Sequence, residues 1–184
     1  MKIKVCGTND AVFAAEAARL GVDYLGFIFE PSSPRYVTVE KAAEIVSSLD
    51  ASLRRCVRLV GVFVRETPAQ IIETMRCTGL DVVQLHRRAS SEDVAALKAA
   101  GYEVWTLAGG AEGDGVLFDS SHGDGEMAFR NGNYKSIIAG RIGVENVADA
   151  LALKPDIIDV NSSIETAPGV KSTILLAGFL AKLH

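Results

Sequence analysis

The feature that most narrows the fold is a repeated unit: a short apolar strand, a polar turn, a helix of amphipathic spacing, then the next strand. The first strand is Ile3–Val5. Ala11–Leu20 carries apolar residues at helical spacing and runs into Gly21, a helix stop. Tyr24–Phe29 is the second strand, almost continuously apolar, as strands covered on both faces of a parallel sheet are. Thr38 caps a helix reaching to about Leu49, with Lys41 where a capping-box acid would stand. Leu59–Val64 is the third strand. Thr67 and Pro68 open the next helix, with proline at its first position, and Gly79 closes it. Val82–His86 is the fourth strand. Ser90 or Ser91 caps Glu92–Ala100, and Gly101 stops it. Four more strands follow at Glu103–Leu107, Val116–Asp119, Ser136–Ala139 and Ile157–Val160, with helices near Val144–Leu153 and Thr173–Leu183.

Eight such strands in 184 residues predict an α/β protein, a single (β/α)8 TIM barrel over residues 1–184. Two links are too poor for an ordinary helix. Residues 108–115 are short and Gly-rich, and residues 120–135 are Gly-rich and polar with no apolar stripe. The expectation is a shortened barrel, with the helix after the fifth strand missing and the helix after the sixth reduced. The alternative is an incomplete barrel with one strand fewer.

Composition excludes some functions. The net charge of −4 supplies no basic footprint for nucleic acid or an anionic membrane. The sequence has no uninterrupted apolar stretch of the ~18 residues a membrane-spanning helix needs. The N-terminus enters a strand at once and shows no signal-peptide pattern. Three widely spaced cysteines, Cys6, Cys56 and Cys77, read as free thiols in a reducing cytoplasm, and they lack zinc-site spacing.

The chemistry-bearing residues gather at strand carboxyl ends, where barrels place their sites. Cys6 ends the first strand. Its bland reading is a small buried hydrophobe, and its functional reading is a thiolate base or nucleophile. Asp119 ends the sixth strand, either as a turn former or as an acid/base facing Cys6 across the mouth. Arg35, in a Pro-rich loop, is a solvated side chain or a clamp for a carboxylate. Gln84 and His86 end the fourth strand, as satisfied polar groups or substrate contacts. Asp159, on the eighth, needs a hydrogen-bond partner if it is buried. After the last two strands come Gly140 and Arg141, then Ser162 and Ser163. They form ordinary turns or the phosphate-binding loops many barrels carry there.

Taken in order, these segments resemble the phosphoribosylanthranilate isomerase family nearly end to end. Lys4-Val5-Cys6-Gly7-Thr8 is similar to the family's Lys-Ile-Cys-Gly block. Gly26-Phe27-Ile28-Phe29 with Ser33-Pro34-Arg35-Tyr36-Val37 matches its second-strand block. Val60–Val64, Val83–His86, and Asp159–Glu165 with Pro168–Lys171 match later ones. The resemblance implies an Amadori rearrangement of N-(5′-phosphoribosyl)anthranilate. Asp119 is then the general acid that opens the ribose ring, and Cys6 the base that takes the C2′ proton. Arg35 holds the anthranilate carboxylate, Asp159 contacts the substrate's amino or ring side, and Gly140 and Ser162 help bind phosphate. Their places at the strand ends and in the last two loops add Gln84 and His86 as substrate contacts and Arg141 and Ser163 as phosphate contacts. No metal or cofactor is implied, because ring opening and enolisation need only proton transfers. The expected state is a monomer, with a dimer as the alternative.

The chain departs from the family pattern at several positions. Arg87 follows His86 where the family has glycine, Arg141 replaces a loop glycine, and the Ser-Ser-Gly block reads Asn161-Ser162-Ser163. Acids stand in Gly123-Asp124-Gly125-Glu126, where a Gly-rich loop usually carries a lysine. Two other readings follow from these changes: a related sugar-phosphate isomerase of altered substrate range, or a non-catalytic phosphate-ligand-binding relative.

Overall fold

The computed structural model describes residues 1–120 and 133–183. Eight parallel strands hydrogen-bond in chain order and close into a barrel. They are β1 (Lys2–Val5), β2 (Tyr24–Ile28), β3 (Arg58–Phe63), β4 (Val82–Leu85), β5 (Glu103–Leu107), β6 (Gly115–Asp119), β7 (Lys135–Ala139) and β8 (Ile157–Val160). Closure sets β1 beside β8, with Lys4 opposite Asp159. The helices are α1 (Ala11–Arg19), α2 (Val39–Ser48), α3 (Ala51–Cys56), α4 (Pro68–Thr78), α5 (Ser91–Ala99), α6 (Val147–Ala152) and α7 (Thr173–Leu180). Among the described residues, no helix is long and apolar enough to cross a membrane.

Local chemistry explains the helix starts. Asp10, Thr38, Thr67, Ser90 and Ser172 each accept a hydrogen bond from a backbone N–H in the first turn of the helix they precede. Thr67 and Gln70 form a full capping box, and Gly79 ends α4 in the left-handed conformation. Helix α3 is an addition to the sequence reading. Asp50 caps it, accepting from the N–H groups of Ser52 and Leu53. Helix α6 starts later than its apolar spacing suggests. Asn146 accepts from Gly143 N–H and donates to the Arg141 carbonyl, which holds residues 143–146 as a turn.

The link from β5 to β6 contains no helix. Its glycines lie flat on the neighbouring chain instead. A Cβ on Gly110 would fall 2.7 Å from the Ala89 nitrogen, and one on Gly113 would fall 2.3 Å from the Val104 oxygen. The reduced helix expected after β6, with its acidic Gly123–Glu126 stretch, lies outside the described residues. The chain also builds a small antiparallel hairpin after β8, β9 (Glu165–Ala167) and β10 (Val170–Lys171).

Strand periodicity sorts the core into two layers. Ile3, Val5, Leu25, Phe27, Leu59 and Phe63 point outward and pack under the helices. Tyr24, Val60, Val82, Trp105, Leu117 and Ile137 fill the lumen. At the amino-terminal end the lumen is plugged. Tyr24 meets Trp105 edge-on at 5.0 Å. Glu103 accepts from Trp105 Nε1 at 2.7 Å, from Lys135 at 2.6 Å and from Arg58. Although partial burial opposes ionisation, these donors hold the Glu103 carboxyl at about 2. The open space is left at the carboxyl-terminal end.

Candidate active site

The alternation that packs the lumen also selects which side chains reach its mouth. Cys6 follows Lys4 on the inner face of the first strand, as His86 follows Gln84, Asp119 follows Leu117, and Asn161 follows Asp159 on theirs. These strand ends border a cavity of about 440 Å³. Cys6, Gln84, His86, Asp119 and Asp159 line it from the strands, and Arg35, Gly140, Arg141 and Ser162 line it from the loops. Of the residues singled out from the sequence, only Ser163 is missing from this wall. Its hydroxyl donates to the Ile142 carbonyl at 2.5 Å and ties the loop after β8 to the loop after β7.

Cys6 is buried, with its backbone N–H bonded to the Val160 carbonyl at 2.9 Å. Burial pushes the thiol above its usual range, while the nearby Lys4 ammonium pulls it down. Lys4 itself bonds Asp159 Oδ2 at 2.6 Å in the barrel interior. Burial raises the Asp159 carboxyl against the pull of that ammonium. Asp159 Oδ1 and Gln84 Oε1 are buried with no hydrogen-bond partner among the described residues. Buried acceptors in a cavity wall call for a donor, and a ligand can supply one. Across the mouth, Asp119 Oδ2 lies 3.8 Å from His86 Nε2. Among the described residues no three His, Cys, Asp or Glu side chains gather as a metal site.

Arg35 reaches the cavity over Gly7, whose φ of +74° and lack of a Cβ let the arginine stem pass; a methyl there would sit 3.0 Å from its Cβ and Cγ. Its guanidinium forks onto Glu165, Nε to Oε1 at 2.9 Å and Nη2 to Oε2 at 2.6 Å. Lys171 donates to the same carboxylate at 2.7 Å and to Asn161 Oδ1 at 2.7 Å. Glu165 is partly desolvated, yet its two cationic partners hold it at about 2. Two of the five guanidinium N–H donors are thus engaged among the described residues.

At the other end, Gly140 and Arg141 both have positive φ, 104° and 54°. The left-handed backbone at Arg141 is one that glycine adopts without strain.

Asn161 also lines the cavity, and Lys4, Glu165 and Lys171 bond residues that do; none of the four was among the expected residues. Lys4 was detectable only by pairing it with Asp159, since Lys2-Ile3-Lys4 alone reads as the wet face of a strand.

Comparisons with known proteins agree with the architecture. Residues 3–182 match the family described as N-(5′-phosphoribosyl)anthranilate (PRA) isomerase. The N-(5′-phosphoribosyl)anthranilate isomerase of Rhodospirillum centenum is 35% identical over 213 residues, covering 98% of this chain and 97% of that protein. The crystal structure of phosphoribosyl anthranilate isomerase from Thermus thermophilus superposes with a TM-score of 0.84 at 32% identity, covering 100% of this chain and 98% of that one. A further phosphoribosyl anthranilate isomerase, solved in complex with reduced 1-(o-carboxyphenylamino)-1-deoxyribulose 5-phosphate, has a TM-score of 0.84 at 27% identity, covering 99% and 97%.

Proposed function

The chain belongs to the N-(5′-phosphoribosyl)anthranilate isomerase family, and we propose how its own residues carry out that reaction. It is an isomerase of tryptophan biosynthesis. It converts N-(5′-phosphoribosyl)anthranilate to 1-(2-carboxyphenylamino)-1-deoxyribulose 5-phosphate.

In the proposed scheme Asp119 acts first. Its carboxyl protonates the ribose ring oxygen, the C1′–O bond breaks, and the anilino nitrogen supplies the electron pair that makes C1′=N⁺. The Cys6 thiolate then removes the C2′ proton. The C–H pair becomes the C1′=C2′ bond, and nitrogen recovers its lone pair. The resulting enolamine tautomerises to the ketone. The observation that carries this reading is placement: Cys6, just after β1, and Asp119, the last residue of β6, border one cavity at the carboxyl ends of the strands. His86, 3.8 Å from Asp119, orients that carboxyl. The unpartnered Asp159 Oδ1 accepts from the substrate's anilino N–H, and Gln84 Oε1 from a ribose hydroxyl. Arg35, braced by Glu165, takes the anthranilate carboxylate. Gly140, Arg141 and Ser162 receive the phosphate. The Ser163 hydroxyl is committed to Ile142, so its part is to hold the two loops together.

The test is turnover by purified Cys6→Ala and Asp119→Asn variants. Each should lose at least ~10²-fold in kcat, the lower end of what general acid–base catalysis contributes. Each should still bind the reduced product analogue. Wild-type turnover by either would overturn the scheme. The proposal extends to a cytoplasmic monomer, since a base at Cys6 needs a reduced thiol. Sedimentation showing a dimer at assay concentration would overturn the monomer.

A further inference from the structure

Lys4 is wholly buried, yet the scheme above gives it no task. An ammonium in a barrel lumen carries a desolvation cost of several kcal/mol, and an apolar side chain of similar volume often serves stability as well or better. Its placement suggests a reason for the charge. The β1–β8 register sets Lys4 against Asp159, whose Oδ2 it bonds at 2.6 Å. The two-residue period puts Cys6 on the same inner face, one step nearer the mouth. Gly26 on the adjacent strand leaves both side chains their room. A methyl at Gly26 would lie 3.1 Å from Cys6 Sγ and 3.2 Å from Lys4 Nζ. Sulfur and ammonium thus share the space above one glycine.

We infer that Lys4 is a positioning residue: Asp159 pins its ammonium beneath Cys6, and that ammonium is the countercharge against which the thiolate forms. This rests on reading Cys6 as the base. The other charges facing the sulfur are Asp159 from β8, which opposes the thiolate, and Lys171 and Arg35, which favour it. Lys171 and Arg35 are already paired with Glu165, whereas Lys4 shares the lumen face with the sulfur. When the thiolate takes the C2′ proton, S–H replaces S⁻ and the ammonium is left to Asp159 alone. One ion pair therefore serves both halves of the proton transfer.

The experiment uses the full chain with the exposed cysteines replaced, Cys56→Ser and Cys77→Ser, so that thiolate absorbance at 240 nm reports Cys6 alone. In that background Lys4→Met, Asp159→Asn and the double variant are titrated with pH. Lys4→Met should raise the midpoint of thiolate formation by about one pH unit or more, roughly tenfold less thiolate at a given pH. Asp159→Asn should lower it. The double variant, which buries no unpaired charge, should titrate above Asp159→Asn, and it decides the matter if Lys4→Met fails to fold. A general loosening of the lumen would move both single variants in the same direction. That result, or an unmoved midpoint without Lys4, overturns the inference and leaves Cys6 as a candidate base. If the midpoints move as expected but the ascending limb of the kcat–pH profile does not follow them, the Lys4 assignment stands and the reading of Cys6 as the base fails.

Discussion

Replacing Glu165 with glutamine tests how the rim of the cavity is held. The substitution keeps the shape and removes the charge. In the native protein the carboxylate takes the Arg35 fork on both oxygens and the Lys171 ammonium on one. Lys171 is 1% exposed and Glu165 4%, so the variant strands a buried cation. Breaking one partner of a buried pair costs about 3–5 kcal/mol. An independent route gives a similar figure. Glu165 is held at about 2 against an ordinary 4.5, and at 1.36 kcal/mol per unit that difference stabilises by up to about 3 kcal/mol at neutral pH. Because the folded value is depressed, the stabilisation is present above about 4.5 and is lost as pH falls toward about 2. By pH 3.5 roughly 1.4 kcal/mol of it has gone. Urea unfolding of wild type and Glu165→Gln at pH 7 and at pH 3.5 measures both quantities. The expected gap is about 3 kcal/mol at pH 7, near half that at the lower pH. Substrate KM should rise as well, because Arg35 loses its brace. A gap below about 1 kcal/mol at pH 7, the size of an exposed pair, or a gap that does not shrink with acid, would refute the argument.

Three further outcomes follow from the same geometry. Arg141→Gly relieves a left-handed backbone but removes a charged donor from the phosphate end. Loss of a charge-assisted hydrogen bond at about 1.5 kcal/mol should raise KM roughly tenfold with kcat nearly unchanged, measured by steady-state kinetics. Gly169→Ala puts a Cβ 2.4 Å from the Pro34 carbonyl at a φ of +83°. It should lower the melting temperature and raise KM together, because Pro34 precedes Arg35, the proposed carboxylate clamp. Glu103→Gln loosens the plug at the closed end of the barrel. It should destabilise the fold at pH 7, an effect that fades as pH falls from 4.5 toward about 2, while kcat and KM stay at wild-type values.

Much of the barrel could be read from local chemistry. Nearly continuous apolar runs bounded by caps and glycines located all eight strands, because a strand covered on both faces needs no partner to declare itself. Helix α3 escaped because it is six residues long and shows no apolar period. The β9–β10 hairpin escaped for another reason. Its strands are only three and two residues long, and its ties run to distant loops, Asn9 donating to the Gly169 carbonyl and Arg35 to Glu165.

The site was legible in its residues and illegible in its partnerships, and the reason is topological. Cys6, Asp119, Arg35 and Asp159 each stand at a strand end or in a loop after one, where position alone suggests chemistry. Their partners lie far away along the chain: Asp159 is 155 residues from Lys4, and Glu165 is 130 residues from Arg35. Closing the barrel creates both pairs. It turns the polar face of Lys2-Ile3-Lys4 from an apparent solvent face into a lumen face, and it brings the hairpin after β8 against the loop after β2. Under the proposed scheme, removing Lys4 or Glu165 acts on the base or on the carboxylate clamp without touching the reacting atoms. In each case a long-range ion pair stands beside a group to which the proposed scheme gives a task. A defect in closure between β1 and β8 would accordingly lower activity before it lowered helix content. The ion pair and the thiol sit on that seam, whereas the outer helices pack on a separate apolar layer.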